Sequence, residues 1–247
     1  TIINKSSLHF NTKLYAGNSS TQSITGVGFQ PDWVWIKDRD NASRWHFVFD
    51  AVRGVNQRLV PNETSTQATA TSLTAFDSDG FSLADQVNVN NNGNNYVAWN
   101  WKAGGGQGSS NTDGSINTTY TSVNTTAGFS ISQYEGTGSN ATFGHGLGVA
   151  PQMVIVKNID ATQNWFVYHQ GIGATKVIYL DLTNAQQTLS QGWNDTAPTS
   201  SVVSIGTEAG VNQSGSTHIA YCFAEKTGFS KFGSYTGNGN GDGSFIY

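Results

Sequence analysis

The sequence predicts an all-β protein made of tandem β-sandwich domains, jelly-roll-like in style. Three observations lead there. A glycine turn, a proline and a hydrophobic run form one unit, a corner feeding a buried strand. It is written twice, GVGFQPDWVWIK at 26–37 and GLGVAPQMVIVK at 146–157, so that Gly28, Pro31, Val34 and Lys37 recur 120 positions later (157 − 37). Second, apolar residues alternate at the period of a strand wherever they cluster. Third, 29 glycines and only 11% charged residues suit many short strands joined by tight turns.

Residues 10–18 read as an extended segment ending in a polar turn. In the strand at 33–37, Val34 and Ile36 face one side and Trp33, Trp35 and Lys37 the other. A strand apolar on both faces lies inside a sandwich or has its second face covered by a loop or partner. Residues 38–44 form a hairpin-like loop, and 45–49 the next strand, echoed at 165–168 with Trp45 and Trp165 paired at 120. A polar connection at 59–72 is expected to hold a short helix or irregular loop. Residues 75–83 read strand, turn, strand, with Gly80 supplying a positive φ. An Asn-rich flexible loop is expected at 88–95. The strand at 96–102 puts Val97, Trp99 and Trp101 on one face, matched by Ile219, Tyr221 and Phe223.

The expected domains are 1–103, a first repeat; 104–115, a Gly/Ser-rich linker without apolar anchors; and 116–227, a second repeat. Strands are expected at 116–123 and 128–134. GFSISQYEGTGSN at 128–140 returns as GFSKFGSYTGNGN at 228–240, so 228–247 reads as the opening strand of a third repeat or an added strand. The natural polypeptide is expected to continue. About 100–120 residues per unit suits a sandwich or jelly roll.

The net charge of −4 argues against nucleic acid, which selects clustered Lys and Arg. No run of about 18 apolar residues is present, so no membrane insertion is expected. One cysteine, Cys222, forms no intrachain disulfide framework and no Cys-based zinc cluster.

The segments FNTKLYAGNSSTQSITGVGFQPDWVWIK, FDAVRGV, LTAFDSDGFSL, YVAWNWKAGG, GHGLGVAP, WNDTAPTSS and YCFAEKTGFSKFGSYTGNG together resemble a repeated domain of uncharacterised function. That domain is found in tail-fibre-like and other virion proteins of marine bacteriophages, notably those infecting cyanobacteria and abundant marine bacteria. The resemblance covers essentially the whole chain. It implies a virion structural role in a fibre or appendage that meets the host, and it brings no catalytic residues.

Each candidate site has a structural competitor. Asp77 and Asp79 before Gly80 look like half a calcium loop, and Asp38 and Asp40 share a turn. The ligand spacing of a calcium loop is missing, and turns select the same residues. Among Asp32, Asp50, Asp77, Glu135 and Asp181, spacing singles out no pair for glycoside hydrolysis. His9, His46, His145, His169 and His218 form no metal-binding arrangement, and His145 reads as a turn cap. No catalytic residue, metal ligand or cofactor is assigned.

Tryptophan faces flanked by amides suit sugar rings. Trp99 and Trp101 read as core. Trp33 and Trp35, replaced by Met153 and Ile155 in the second copy, read as second-layer core or as a contact surface. Trp193, followed by Asn194 and Asp195 in a polar loop, is the best candidate for an exposed aromatic contact, although burial under its loop is the favoured reading. The candidate ligand set is therefore Trp193, Asn194, Asp195, Trp33 and Trp35. Loops 38–44, 88–95 and 186–196 differ between copies and are where recognition is expected.

The expected function is a non-enzymatic virion module displaying loops to a host-surface glycan. Other virion subunits are expected partners, a homo-oligomer the expected assembly, and the virion surface the location. A capsid decoration or fibre-shaft protein binding only virion subunits is the first alternative, and a glycan-degrading enzyme the second.

Overall fold

Val34 and Ile36 alternate with Trp33 and Trp35, so that strand must bury both faces. The computed structural model describes residues 2–243 and shows how it does so: the architecture is nearly all β, with several antiparallel sheets. The first half contains β1 (Phe10–Ala16), β2 (Gln22–Thr25), β3 (Trp33–Asp38), β4 (Phe47–Asp50) and β5 (Gln57–Arg58). It continues with β6 (Ala68–Thr69), β7 (Leu73–Asp77), β8 (Gly80–Leu83), the single turn α1 (Val87–Asn90) and β9 (Asn95–Trp101). The second half begins with β10 (Tyr120–Asn124), β11 (Phe129–Glu135), β12 (Ala141–Gly144), β13 (Met153–Asn158) and β14 (Phe166–His169). Then come β15 (Lys176–Tyr179), β16 (Gln187–Thr188), α2 (Ser190–Trp193), β17 (Val202–Ile205), α3 (Ala209–Asn212) and β18 (Thr217–Phe223).

One sheet has the order β1-β9-β3-β4, and a second the order β10-β11-β18-β13-β14-β15-β16. The run β11-β18-β13-β14 repeats the first sheet strand for strand. The register repeats too: Trp33 lies opposite Trp101 and Met153 opposite Phe223, Asp38 opposite Tyr96 and Asn158 opposite His218. Smaller ladders β2-β8-β7 and β12-β17 accompany the two sheets.

Three hydrophobic clusters hold these layers. One joins Val34, Ile36, Phe47, Phe49, Tyr96 and Ala98 of the first sheet to Ile24, Phe81 and Leu83 of the β2-β8-β7 ladder. Another joins Val154, Val156, Phe166, Tyr168 and Ala220 of the second sheet to Phe143, Val203 and Ile205 of β12-β17, with Trp193. The third lies between the two sheets, where Trp33 and Val48 meet Phe129, Ile131, Ile155, Val167, Tyr221 and Phe223.

Polar plugs repeat as well. Asn90 is fully buried, its Nδ2 donating to Ser20 O (2.6 Å) and Ala84 O (2.8 Å) while its Oδ1 accepts from Asn18 N (3.0 Å). Asn212 does the same with Ser139 O (2.6 Å), Gly206 O (2.7 Å) and Thr137 N (2.8 Å). Beside them, Tyr15 and Tyr134 donate to Val89 O and Val211 O, both at 2.7 Å. Each buried amide thus satisfies backbone groups where a sheet edge turns into a single helical turn.

The structure corrects several expectations. Residues 104–115 are not a free linker: Asp32 gathers Ala103 N (2.6 Å), Gly105 N (3.0 Å) and Gly106 N (2.7 Å), and Ser109 bridges to Thr121. A buried carboxylate needs donors, and glycines let three amides converge on one group. The 88–95 loop holds α1 and the buried Asn90, so it is pinned. The 116–123 strand begins only at Tyr120. Trp45 and Trp165 are not equivalent. Phe47 pairs with Ile36 and Phe166 with Val156, an offset of 119 (166 − 47), so Trp165 takes the place of His46. A slip of one residue changes the face. Finally, residues 226–230 close a tight turn, and 231–243 add no strand to any sheet among the described residues; 244–247 lie outside them. The openings β1 and β11 pair with β9 and β18, the closing strands of their own halves.

One substitution between the halves has a pH consequence. Tyr15 stacks on Tyr96, and Tyr134 stacks in the same way on His218, with centroids 5.2 Å apart in each pair. His218 is fully buried, and its ring nitrogens face Ser216 O (3.0 Å) and Ala209 O (3.3 Å). Burial pulls the imidazole down to about 4. The unfolded chain takes up this proton near pH 6.5 and the folded chain only near 4, so stability falls as pH drops through that window, by about 3 kcal/mol when complete. His218→Tyr, which installs the counterpart residue, is expected to shrink the loss of Tm between pH 7 and 4.5 in circular-dichroism melts. An unchanged acid limb would refute this role.

A candidate binding cleft lined by aromatic residues

Cross-strand pairing brings four tryptophans onto one face of the first sheet: Trp33 lies opposite Trp101 and Trp35 opposite Trp99. Trp33 is 2% exposed. Its ring stacks on Tyr221 (centroids 4.5 Å apart) and on Phe129 (5.8 Å), so it is the main aromatic contact between the sheets. Its indole N–H has no partner among the described residues. Trp35 is half-buried and donates from Nε1 to His46 Nδ1 (2.9 Å). Trp99 and Trp101 are also half-buried, Trp101 being covered by Phe10 at 4.8 Å.

On one side the sheets are locked together. Tyr221 donates its hydroxyl to Asp50 Oδ2 (2.7 Å), and the same oxygen receives Arg53 Nε (2.6 Å). The guanidinium is buried and also donates to Gln57 O and Gln67 Oε1. From the second sheet, Trp165 Nε1 donates to Val60 O and Glu63 O, both at 3.1 Å. Lys157 Nζ lies among carbonyls of Asn158 (2.8 Å), Gln163 (2.9 Å) and Thr64 (3.1 Å), and burial lowers it to about 8. The segment 51–67 of the first half therefore straps over the second sheet through paired polar groups.

The opposite side is open. There a cleft of about 530 Å³ separates Phe10, Trp35 and Trp101 from Met153, Ile178 and Leu180, with Phe229 and Phe232 at its mouth. A second cavity, about 520 Å³, adjoins it through Phe229 and Ser230 and carries Glu225, Lys226 and Lys231.

The sequence-derived candidates fare unequally. Trp33 and Trp35 both line the cleft. Trp193 is not an exposed contact: it is 1% exposed and packs edge-on to Tyr168, because its neighbours form α2 and turn it inward. Asn194 and Asp195 stay exposed on left-handed backbone, with Asn140 Nδ2 donating to Asn194 Oδ1 (2.8 Å). They are not brought to the cleft.

The carboxylates are engaged in backbone work. Asp79 accepts from Gly26 N and Gly28 N, Asp40 from Asn95 N, and Asp38 from Asp40 N and Asn41 N. Those amides hold Asp79 and Asp40 below the usual carboxylate range. Asp181 accepts from Trp165 N, and burial raises it. Among the described residues, no group of three His, Cys, Asp or Glu side chains could hold a metal. His145 accepts from Leu147 N (3.2 Å), a turn cap. Burial pushes the Cys222 thiol up to about 12, which leaves it unreactive.

A family model described as a domain of unknown function, DUF7483, matches residues 5–247. This chain belongs to the DUF7483 family. No curated protein and no solved structure matches it. The clearest ligand-sized feature of this DUF7483 chain is the cleft, and sequence reasoning missed half of it. Phe229 and Phe232, three apart, cannot share one face of a strand; the turn at 226–230 brings both to the same mouth.

The lock is testable in the DUF7483 chain. Asp50→Ala leaves the buried Arg53 without its counter-charge and is expected to cost about 3–5 kcal/mol in urea denaturation followed by tryptophan fluorescence. Tyr221→Phe removes one hydrogen bond and is expected to cost about 1 kcal/mol. Equal effects would show that the ion pair is not the stronger part of the lock.

Proposed function

We propose that this chain is a non-enzymatic structural protein of a phage virion, a fibre or appendage module that presents loops to a host-surface glycan. In this reading, 1–103 and 116–227 are tandem β-sandwich units, jelly-roll-like, and the protein acts outside the cell as a homo-oligomer alongside other virion subunits. The observation that carries the proposal is the division between what the halves share and what they vary. Strand order, register, the Asn90/Asn212 plugs and the Tyr15/Tyr134 hydroxyls are common to both. The loops differ: Trp45 stands 44% exposed beside the 38–44 turn where the second half carries the half-buried Asn164, and Asn194 and Asp195 project beside α2. A constant scaffold with varied polar loops suits recognition. Repetition turns weak single contacts into useful avidity. The engagement of Asp32, Asp50 and Asp79 by amides, hydroxyl and guanidinium supports this reading over a glycan-degrading enzyme.

A second reading has its own observation. β1 is an edge strand, and Leu14 on it is 58% exposed, with Leu8 just before it 47% exposed. Unpaired edges bearing apolar side chains are places where another chain adds, which favours a capsid decoration or fibre-shaft protein that meets only virion subunits.

Glycan arrays separate the two. The chain is expected to bind a subset of bacterial surface polysaccharides, and Trp45→Ala to weaken that binding about fivefold through loss of the stacking face. A blank array, with the chain found in purified particles only in contact with other subunits, would overturn the attachment reading in favour of the second.

A further inference from the structure

The cleft differs from a sugar site in kind. Its walls are indole, phenyl, thioether and branched aliphatic groups, with Ser230 and Tyr179 bringing the two hydroxyls of its lining and the Tyr179 hydroxyl donated to Gln187 Oε1. A sugar ring needs hydrogen bonds along its rim, and these walls supply almost none. What they suit is an apolar body, and a volume of about 530 Å³ lies within the ~300–1,000 Å³ range of small-molecule sites.

The mouth is different again. Lys226 lines the adjoining cavity, and its stem packs against Gly128 on the cleft wall. Its backbone is fixed in the turn closed with Ser230. Lys231 stands in the same adjoining cavity, 79% exposed and 3.8 Å from Glu225. Glu225 is also occupied by Phe232 N (2.9 Å). Two lysines against one glutamate form a local cationic rim on a chain whose net charge is −4. That rim runs against the general field and adjoins an apolar hollow.

We infer that the cleft is a binding site for an anionic amphiphile, a single-chain fatty carboxylate. Its alkyl body lies between Trp35 and Trp101 on one sheet and Met153, Ile178 and Leu180 on the other, and its head meets Lys226. The walls reward burial of the chain, the ammonium rewards the carboxylate, and neither alone specifies the ligand. The inference stands apart from the fibre proposal, since it concerns a cleft that the loops do not reach.

The test uses the full chain and three probes below micellar concentration: dodecanoate, dodecanol with the same tail and no charge, and butyrate with the head and little tail. Binding is read by tryptophan fluorescence and by calorimetry. Dodecanoate is expected to bind saturably, about tenfold tighter than dodecanol, and butyrate not measurably. Lys226→Met keeps the stem and removes the charge. It is expected to bring dodecanoate down to the affinity of dodecanol while leaving dodecanol unchanged. Leu180→Trp, at a residue 37% exposed on the cleft wall, fills the hollow and is expected to abolish binding of both without lowering Tm. Failure of dodecanoate to saturate, equal binding of dodecanoate and dodecanol, or indifference to Lys226→Met would each overturn the assignment.

Discussion

Two sheets that are apolar on both faces set the terms of this fold. One face of each is covered by its own small ladder, and the other faces have only each other. Trp33 meets that need by stacking on Tyr221 and Phe129 across the gap. The contact is local, and it leaves the remaining tryptophans of the first sheet half-buried. The strap at 51–67 closes one side with paired polar groups. The side without a strap is the cleft. Lock and cleft are thus two outcomes of a single demand for coverage, met completely on one side and incompletely on the other.

The repeat matters because it separates what the fold requires from what happens to fill it. Lys37 and Lys157 both place an ammonium among loop carbonyls, and Asp40 and Asp160 both cap the start of the closing strand through Asn95 N and Thr217 N. These polar groups satisfy backbone atoms at the same bends in both halves, which is the reason they recur. Asp32 and Gln152 show the opposite case: the same position carries a carboxylate with three amide donors in one half and an amide accepting from Glu225 N alone in the other.

Much of the scaffold was legible in the sequence. The alternation of Val34 and Ile36 with Trp33 and Trp35 put the right residues on the right faces, and Asp79-Gly80 marked the β7-β8 turn with φ of +152° at the glycine. The failures have physical causes. Counting 120 positions paired Trp45 with Trp165, but a one-residue difference in loop length moved the partner to His46, and only strand register records that. Glycine runs such as 104–106 read as tethers because a backbone amide has no signature of its own; the carboxylate that recruits them lies some 70 residues earlier. The cleft was half visible through Trp33 and Trp35. Its mouth depends on a turn at 226–230 that a strand-like repeat of β11 concealed. At Trp193 it is the burial reading that the structure bears out, since polar neighbours on the chain say little about the apolar neighbours in space.

The Asp32 nest bears on how the chain folds as it is made. Its carboxylate is buried, and burial alone would raise it and favour the neutral acid; the amides of residues 103, 105 and 106 pull the other way. Those amides come after the last strand of the first half, β9. On the ribosome, then, the first sheet has all its strands before it has the donors that let this anion enter the interior. Completion of the first half therefore waits for the segment that joins the two copies to leave the exit tunnel.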